Sequence, residues 1–381
     1  MVYLNQAATT YPKPQCVRKA HAAALCRIPE GQFRSRIPAG DESVFEQCRR
    51  NLGKILGIRD YGRIFFSSGA TDSSNLLIYG LDLAGRNVVT TQMEHNSILR
   101  PLYNLRDRVG SVTVVPCDNC GFVDPDRLED AISDHTAAVI VNHCSNVTGA
   151  VQDIPSIAEA VRRRGKLLIV DASQSAGCMP IRTDVWGIDA LIFTGHKALF
   201  GVQGTGGYYV RKGIPFRPAR FGGTGKDSSR VLYDPETYEY EVGTQNEAGI
   251  AALNAGVGYI LRRGVEEIED REQKMIASVY DRLSEIENVT VYGDRRRNHG
   301  PVLSFNIRGL SPSDTAYILQ NSYEIVTRAG LQCAPFIHKS LGSDPLGTVR
   351  ISISDLTEED EIEFFLHAVR ETAYAVRGSR E

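Results

Sequence analysis

The chain of 381 residues has no block of one charge: 43 basic residues stand against 46 acidic ones, for a net of −3. That balance gives no electrostatic reason to expect nucleic acid or an anionic membrane as a partner, and it favours a small molecule. No stretch approaches the ~18 uncharged apolar residues of a membrane span. The opening MVYLNQAATTYPKP lacks the basic start and apolar run of a secretory signal. The expectation is a cytoplasmic protein. The eight cysteines (16, 26, 48, 117, 120, 144, 178 and 333) do not form the dense framework of a small secreted domain, so they read as thiols. CDNC at 117–120 has the spacing of a zinc pair, but no second pair completes four ligands, and no metal is expected. Its surroundings read instead as a strand, an Asp/Asn/Gly turn and a helix start. Repeats and low-complexity segments are also lacking.

What is present is alternation. From about residue 63 to 211, short β-branched runs (RIFFSS, NVVTT, VTVVPC, AAVIVNHCS, KLLIVDAS, DALIFTG, GGYYVR) alternate with helical spacing at 71–84, 94–109, 125–134 and 154–164. Near-continuous apolar strands are what burial on both faces requires, so the pattern predicts an α/β fold with a mainly parallel sheet covered by helices. A Gly-rich stretch at 213–245 and a helical region at about 246–287 follow. VTVYG, PVLSFNIRG, EIVTRA and GTVRISIS then read as strands of a smaller α+β unit closed by a helix at 357–376.

In open α/β sheets, ligands gather beyond the carboxyl ends of the strands. After RIFF comes SSGATDSSN, whose small and hydroxylated residues open a helix and offer N–H groups and the Thr71 hydroxyl to an anion, or a plain helix cap. His95 follows NVVTT, where a lone histidine is more often structural than catalytic, and Asn146 follows AAVIV, where a turn explains it as well as a functional role does. Asp171 ends KLLIV, while Thr194, His196 and Lys197 follow DALIF. A carboxylate and an amine at two strand ends read either as a buried ion pair or as the anchor of pyridoxal 5′-phosphate (PLP). That cofactor needs a Schiff-base lysine, a carboxylate at its ring nitrogen and a phosphate cradle.

Taken in order, YLNQAATTYPKP, SSGATDSSN, MEHNSILRPL, HCSNVTGAV, VDASQSAG, FTGHKALFGVQGTGG, EVGTQN, TRAGLQCAP and GTVRIS resemble the PLP-dependent class V aminotransferase-fold enzymes over nearly the whole chain, and within them the cysteine desulfurases and selenocysteine lyases. The resemblance implies the type I fold of PLP-dependent transferases. Its large PLP-binding domain, at 14–250, holds a mainly parallel seven-stranded sheet, and its small α+β C-terminal domain, at 251–381, takes in the segment 1–13. It implies that Lys197 forms the Schiff base and moves protons at the substrate Cα. Asp171 would bind the ring nitrogen, Gln174 and Asn146 would flank the ring oxygen, and His95 would stack on the ring and act as acid or base. Ala70 (by its N–H), Thr71, Thr194 and His196 would hold the phosphate, and Thr244 would reach the partner subunit's phosphate in a homodimer.

By the same resemblance Arg350 pairs with the substrate carboxylate, with Arg328 and Asn146 as further substrate contacts. Cys333 accepts sulfur, or selenium, with Arg328 nearby favouring its thiolate. The implied reaction turns L-cysteine or L-selenocysteine into L-alanine and leaves a persulfide on Cys333, for delivery to a sulfur-acceptor protein. Gln332 stands where relatives carry a histidine, and Val202 and Gln245 also depart from the common pattern. A C–S lyase that releases pyruvate and ammonia would use the same lysine, aspartate and phosphate cradle, so those motifs do not separate the two reactions. A ligand-sensing domain joined to a DNA-binding module is the third reading; the fold expected within the first dozen residues leaves that module no room.

Overall fold

The computed structural model describes residues 1–29, 42–105, 108–223, 229, 231, 232, 240–297 and 299–378. Its strands are β1 (Val2–Tyr3), β2 (Ile64–Ser67), β3 (Asn87–Thr91), β4 (Ser111–Val115), β5 (Thr136–Asn142), β6 (Leu167–Asp171), β7 (Ala190–Thr194), β8 (Gly206–Val210), β9 (Val289–Tyr292), β10 (Val302–Ile307), β11 (Ile325–Val326), β12 (Arg328–Gly330) and β13 (Thr348–Ser352).

Seven of them form one sheet in the order β2-β8-β7-β6-β5-β3-β4, in which β8 runs antiparallel to both neighbours and the other pairings are parallel. This is the mainly parallel sheet that the apolar runs predict. Alternate residues of one strand serve opposite faces. Val139, Val141, Val170, Leu191 and Phe193 pack with the helices Val44–Leu56, Ile154–Arg163 and Glu247–Arg263. Ala138, Ile140, Ile169, Ala190 and Ile192 pack with the helices Ala70–Gly80 and Asn96–Asn104. Where β2 and β8 converge, a Cβ on Gly206 would lie 2.6 Å from Gly69 Cα, so glycine is required for that approach.

A second, four-stranded sheet in the order β12-β13-β10-β9 is antiparallel throughout. Leu303, Phe305, Val349 and Ile351 pack there against Ile276, Val279 and Leu283 of the helix Val265–Ser284 and against Phe365, Leu366 and Val369 of the helix Glu359–Gly378. The amino-terminal strand joins this half of the molecule, since β1 pairs in parallel with β11 and Leu4 lies in the same core.

Several element ends differ from the periodicity. The helix expected from 94 starts at Asn96, because His95 Nδ1 accepts the Ser97 N–H at 3.0 Å and makes His95 the N-cap. The helical region after 246 is divided at Gly264, whose φ of 89° leaves the helical range. EIVTRA becomes two strands that part at Thr327, one pairing with β1 and the other with β13. Among the described residues, no helix is long and apolar enough to cross a membrane.

Candidate active site

The carboxyl ends of β2, β3, β5, β6 and β7 share one edge of the large sheet, because β2 and β7 flank the single antiparallel strand and point the same way. A cavity of ≈ 340 Å³ opens there. Ala70, Thr71, His95, Asn146, Asp171, Gln174, Thr194, His196, Lys197, Arg328, Cys333 and Arg350 all line it. Thr244 does not; it is exposed, in the turn before the helix Glu247–Arg263. Sequence reasoning missed Ala7, Ala8, Ser68, Asn142 and Ser173 on the same wall. The signal for Asn142 was available, as the last residue of a strand whose neighbour β6 ends on Asp171.

Lys197 follows β7. Burial pulls its amine down to about 8, with the Asp171 charge working the other way and that of Arg350 adding to the shift. Asp171 is buried, which pushes its pKa up. The N–H of Ser173 at 2.9 Å, the Ser173 hydroxyl and the Lys197 charge oppose that shift. His95 is pushed down to about 3, first by burial and then by Lys197, Arg350, Arg328 and Arg100. It is therefore neutral, and because Nδ1 accepts from the Ser97 N–H, its proton sits on Nε2. His196, lowered to about 4 by burial, Lys197 and Lys13, is neutral as well.

Beneath these groups lies Glu94, fully buried, with Oε1 accepting from Thr91 Oγ1 at 2.8 Å and from Asn142 N at 3.1 Å. Burial pushes its carboxyl up to about 8 against those bonds, and the Asp171 charge adds to the rise.

The opposite wall comes from the small sheet. Arg350 on β13 is buried; Nη1 donates to Asn146 O at 3.0 Å and Nη2 to Asn5 Oδ1 at 2.8 Å. Burial and the Arg328 charge lower it to about 9. Cys333 and its neighbour Gln332 both carry positive φ, 62° and 43°, which non-glycine residues seldom adopt. Four hydrogen bonds hold them. Asn146 Nδ2 donates to Gln332 O (2.7 Å), Asn96 N to Cys333 O (2.7 Å), Gln332 Nε2 to Thr348 O (2.6 Å), and Thr348 Oγ1 to Gln332 Oε1 (3.3 Å). The Gln332 side chain is spent on β13, which answers the departure noted in the sequence: it braces the loop. Arg328 Nη2 stands 3.6 Å from Cys333 Sγ.

The residues present suit PLP. Asn142 Oδ1, Asn146 Oδ1, His196 Nδ1 and Arg350 Nε are buried without a hydrogen-bond partner, and all four belong to residues of this wall. Orphaned buried polar atoms are uncommon, and four that converge on one cavity offer a polar ligand groups to satisfy. The helix Ala70–Gly80 begins with no side-chain cap, which leaves its N–H groups and dipole open to a phosphate.

A profile for the family "Aminotransferase class-V" matches residues 2–365. A protein of Methanothermobacter thermautotrophicus described as a "probable cysteine desulfurase" is 34% identical over 98% of this chain and 94% of its own length. One of Pyrococcus abyssi with the same description is 30% identical over 100% and 96%. Among solved structures, the apo cysteine desulfurase of Thermococcus onnurineus superimposes with a TM-score of 0.86 at 30% identity, covering 98% of this chain and 95% of that one.

Proposed function

The chain belongs to the class V aminotransferase family, and on that premise we propose that it is a PLP-dependent cysteine desulfurase. In this reading it converts L-cysteine to L-alanine and stores the sulfur as a persulfide on Cys333. The observation that carries the reading is the meeting of Cys333, in the loop after β12, and Arg350 on β13 with Lys197, just beyond β7, and Asp171 at the end of β6 across a single cavity.

Bound there, PLP supplies an electron sink that makes the Cα–H of an amino acid acidic. Lys197 is the residue that would carry it, and an amine lowered to about 8 keeps a usable neutral fraction near neutral pH. Asp171 holds the ring nitrogen protonated. The amides of Asn146 and Gln174 each keep a second N–H for the ring oxygen, beyond those given to Gln332 O and Ala7 O. Ala70, Thr71, Thr194 and His196 hold the phosphate, and Thr244 serves the partner's site in a homodimer. Arg350 takes the substrate carboxylate, for which its orphaned Nε is available.

The Cys333 thiolate, with the Arg328 guanidinium beside it, attacks the substrate sulfur. An S–S bond forms as the substrate Cβ–S bond breaks and leaves its electron pair to the carbon skeleton; a proton then adds at Cβ and Lys197 returns the one it took from Cα, so that the skeleton leaves as alanine. The reading includes a cytoplasmic location, delivery of the sulfur to an acceptor protein, and a division near residue 250 into a large domain and a small one that includes residues 1–13.

Product identity tests it. The PLP-loaded protein with L-cysteine is expected to release alanine, and Cys333→Ala to release none. Pyruvate that survives the substitution would identify a C–S lyase instead.

A further inference from the structure

Building on the desulfurase reading, we propose that residues 5–13 form a positioning strap that fixes the Schiff-base lysine relative to the carboxylate-binding arginine, with Lys13 as its main fastening. Both carbonyls that flank the Lys197 Cα end on this segment. His196 O accepts from Thr10 N at 3.0 Å, Thr9 Oγ1 at 3.2 Å and Lys13 Nζ at 2.7 Å, and Lys197 O accepts from Thr10 Oγ1 at 2.6 Å beside the local Phe200 N–H at 2.8 Å. A carbonyl has two lone pairs, so three donors on one oxygen exceed what satisfying it requires. Because peptides are planar, holding both planes around a Cα fixes its φ and ψ, and with them the direction in which the side chain leaves the backbone.

The same few residues reach the other wall. Asn5 Oδ1 takes the 2.8 Å bond from Arg350 Nη2, Ala7 N donates to Ser352 Oγ at 2.8 Å, and Ala7 O accepts from Gln174 Nε2 at 3.1 Å. The strap is rooted in the small-sheet half through β1 and through a bridge between Asn5 and Ser352. One length of chain therefore touches the Lys197 backbone, the Arg350 guanidinium and the Gln174 amide.

Lys13 has no ion pair to explain it. Among the described residues no carboxylate meets its half-buried ammonium; burial lowers it to about 8, and its bond is to a neutral carbonyl. A desolvated cation without an anion is costly, and the charge-assisted bond to His196 O is what offsets the cost. Lys13 does not line the cavity, so it acts through the His196–Lys197 peptide.

The test is the rate at which apo-protein takes up PLP, followed by the visible absorbance of the lysine-bound cofactor, with a melting temperature for each variant. Lys13→Met and Thr10→Val are expected to load about ten-fold more slowly. Lys13→Arg, which keeps charge and donors, is expected to load at the unmodified rate. Asn5→Ala is expected to load normally and to raise KM for L-cysteine about ten-fold with kcat little changed. Unchanged loading in Lys13→Met and Thr10→Val, or slowing that Lys13→Arg does not rescue, overturns the strap while the unmodified protein still makes alanine. An unmodified protein that never develops the absorbance overturns the strap and the desulfurase reading together.

Discussion

Asp171 is held by contradictory forces: burial favours its neutral form, and Ser173 and Lys197 favour its anion. In the proposed reaction the anion is the useful form, because it keeps the ring nitrogen protonated. Asp171→Asn is expected to retain PLP, seen by its absorbance, while alanine formation falls by about two orders of magnitude; near-normal turnover would make the aspartate structural. Asp171 and Lys197 were legible in the sequence because each polar residue closes an apolar run, and a strand end is a fixed address in this sheet. Glu94 was not legible. In MEHN it reads as one more acid before a helix, and only the fold shows it turned inward under Asn142 and Asp171.

At the scale of elements, the decisive joint is the turn after β5. Asn146 gives its carbonyl to Arg350 and its amide to Gln332, and Ser304 on β10 donates to Val147 O at 2.7 Å. Gly149 closes the turn with φ of 75°, accepts from Gly300 N at 2.7 Å, and would place a Cβ 2.3 Å from Val302 O. Gly149→Ala combines a strained φ with a backbone clash. It is expected to destabilise the protein by about 2–3 kcal/mol, read as a lower melting temperature, and to weaken cysteine binding, because the turn carries Arg350's acceptor. The strands and helices were readable from period 2 and period 3.6. This joint was not, since NVTG reads as any Asn/Gly turn until β10 and β13 are laid against it.

For the whole molecule, buried ionisable groups set the pH range of stability. His95, His143 and His196 are lowered to about 3, 4 and 4, in each case first by burial. The stability they contribute is present above their ordinary 6.5 and is lost as pH falls through those values. Glu94 acts in the opposite sense. Its folded value of about 8 exceeds the ordinary 4.5, so its contribution is complete below 4.5 and is lost as pH rises through 8. Glu272, buried on the helix Val265–Ser284 and pushed well up by burial, shares that direction. Glu94→Gln removes one such titration, so the melting temperature of the variant relative to the unmodified protein should climb between pH 5 and pH 9. A difference that stays flat with pH would mean that Glu94 ionises freely in the folded state.

The paired left-handed residues at 332 and 333 carry a consequence for traffic. A loop hinged on glycines could swing its thiol out to a customer, but this backbone is fastened to β13 on one side and to Asn96 and Asn146 on the other. Those bonds fix where this backbone presents the sulfur atom, 3.6 Å from Arg328 Nη2. In the proposed reaction an acceptor would meet that sulfur where it stands, half-buried at the mouth of the cavity beside Arg328, so a small thiol or a projecting loop is the shape that suits the approach.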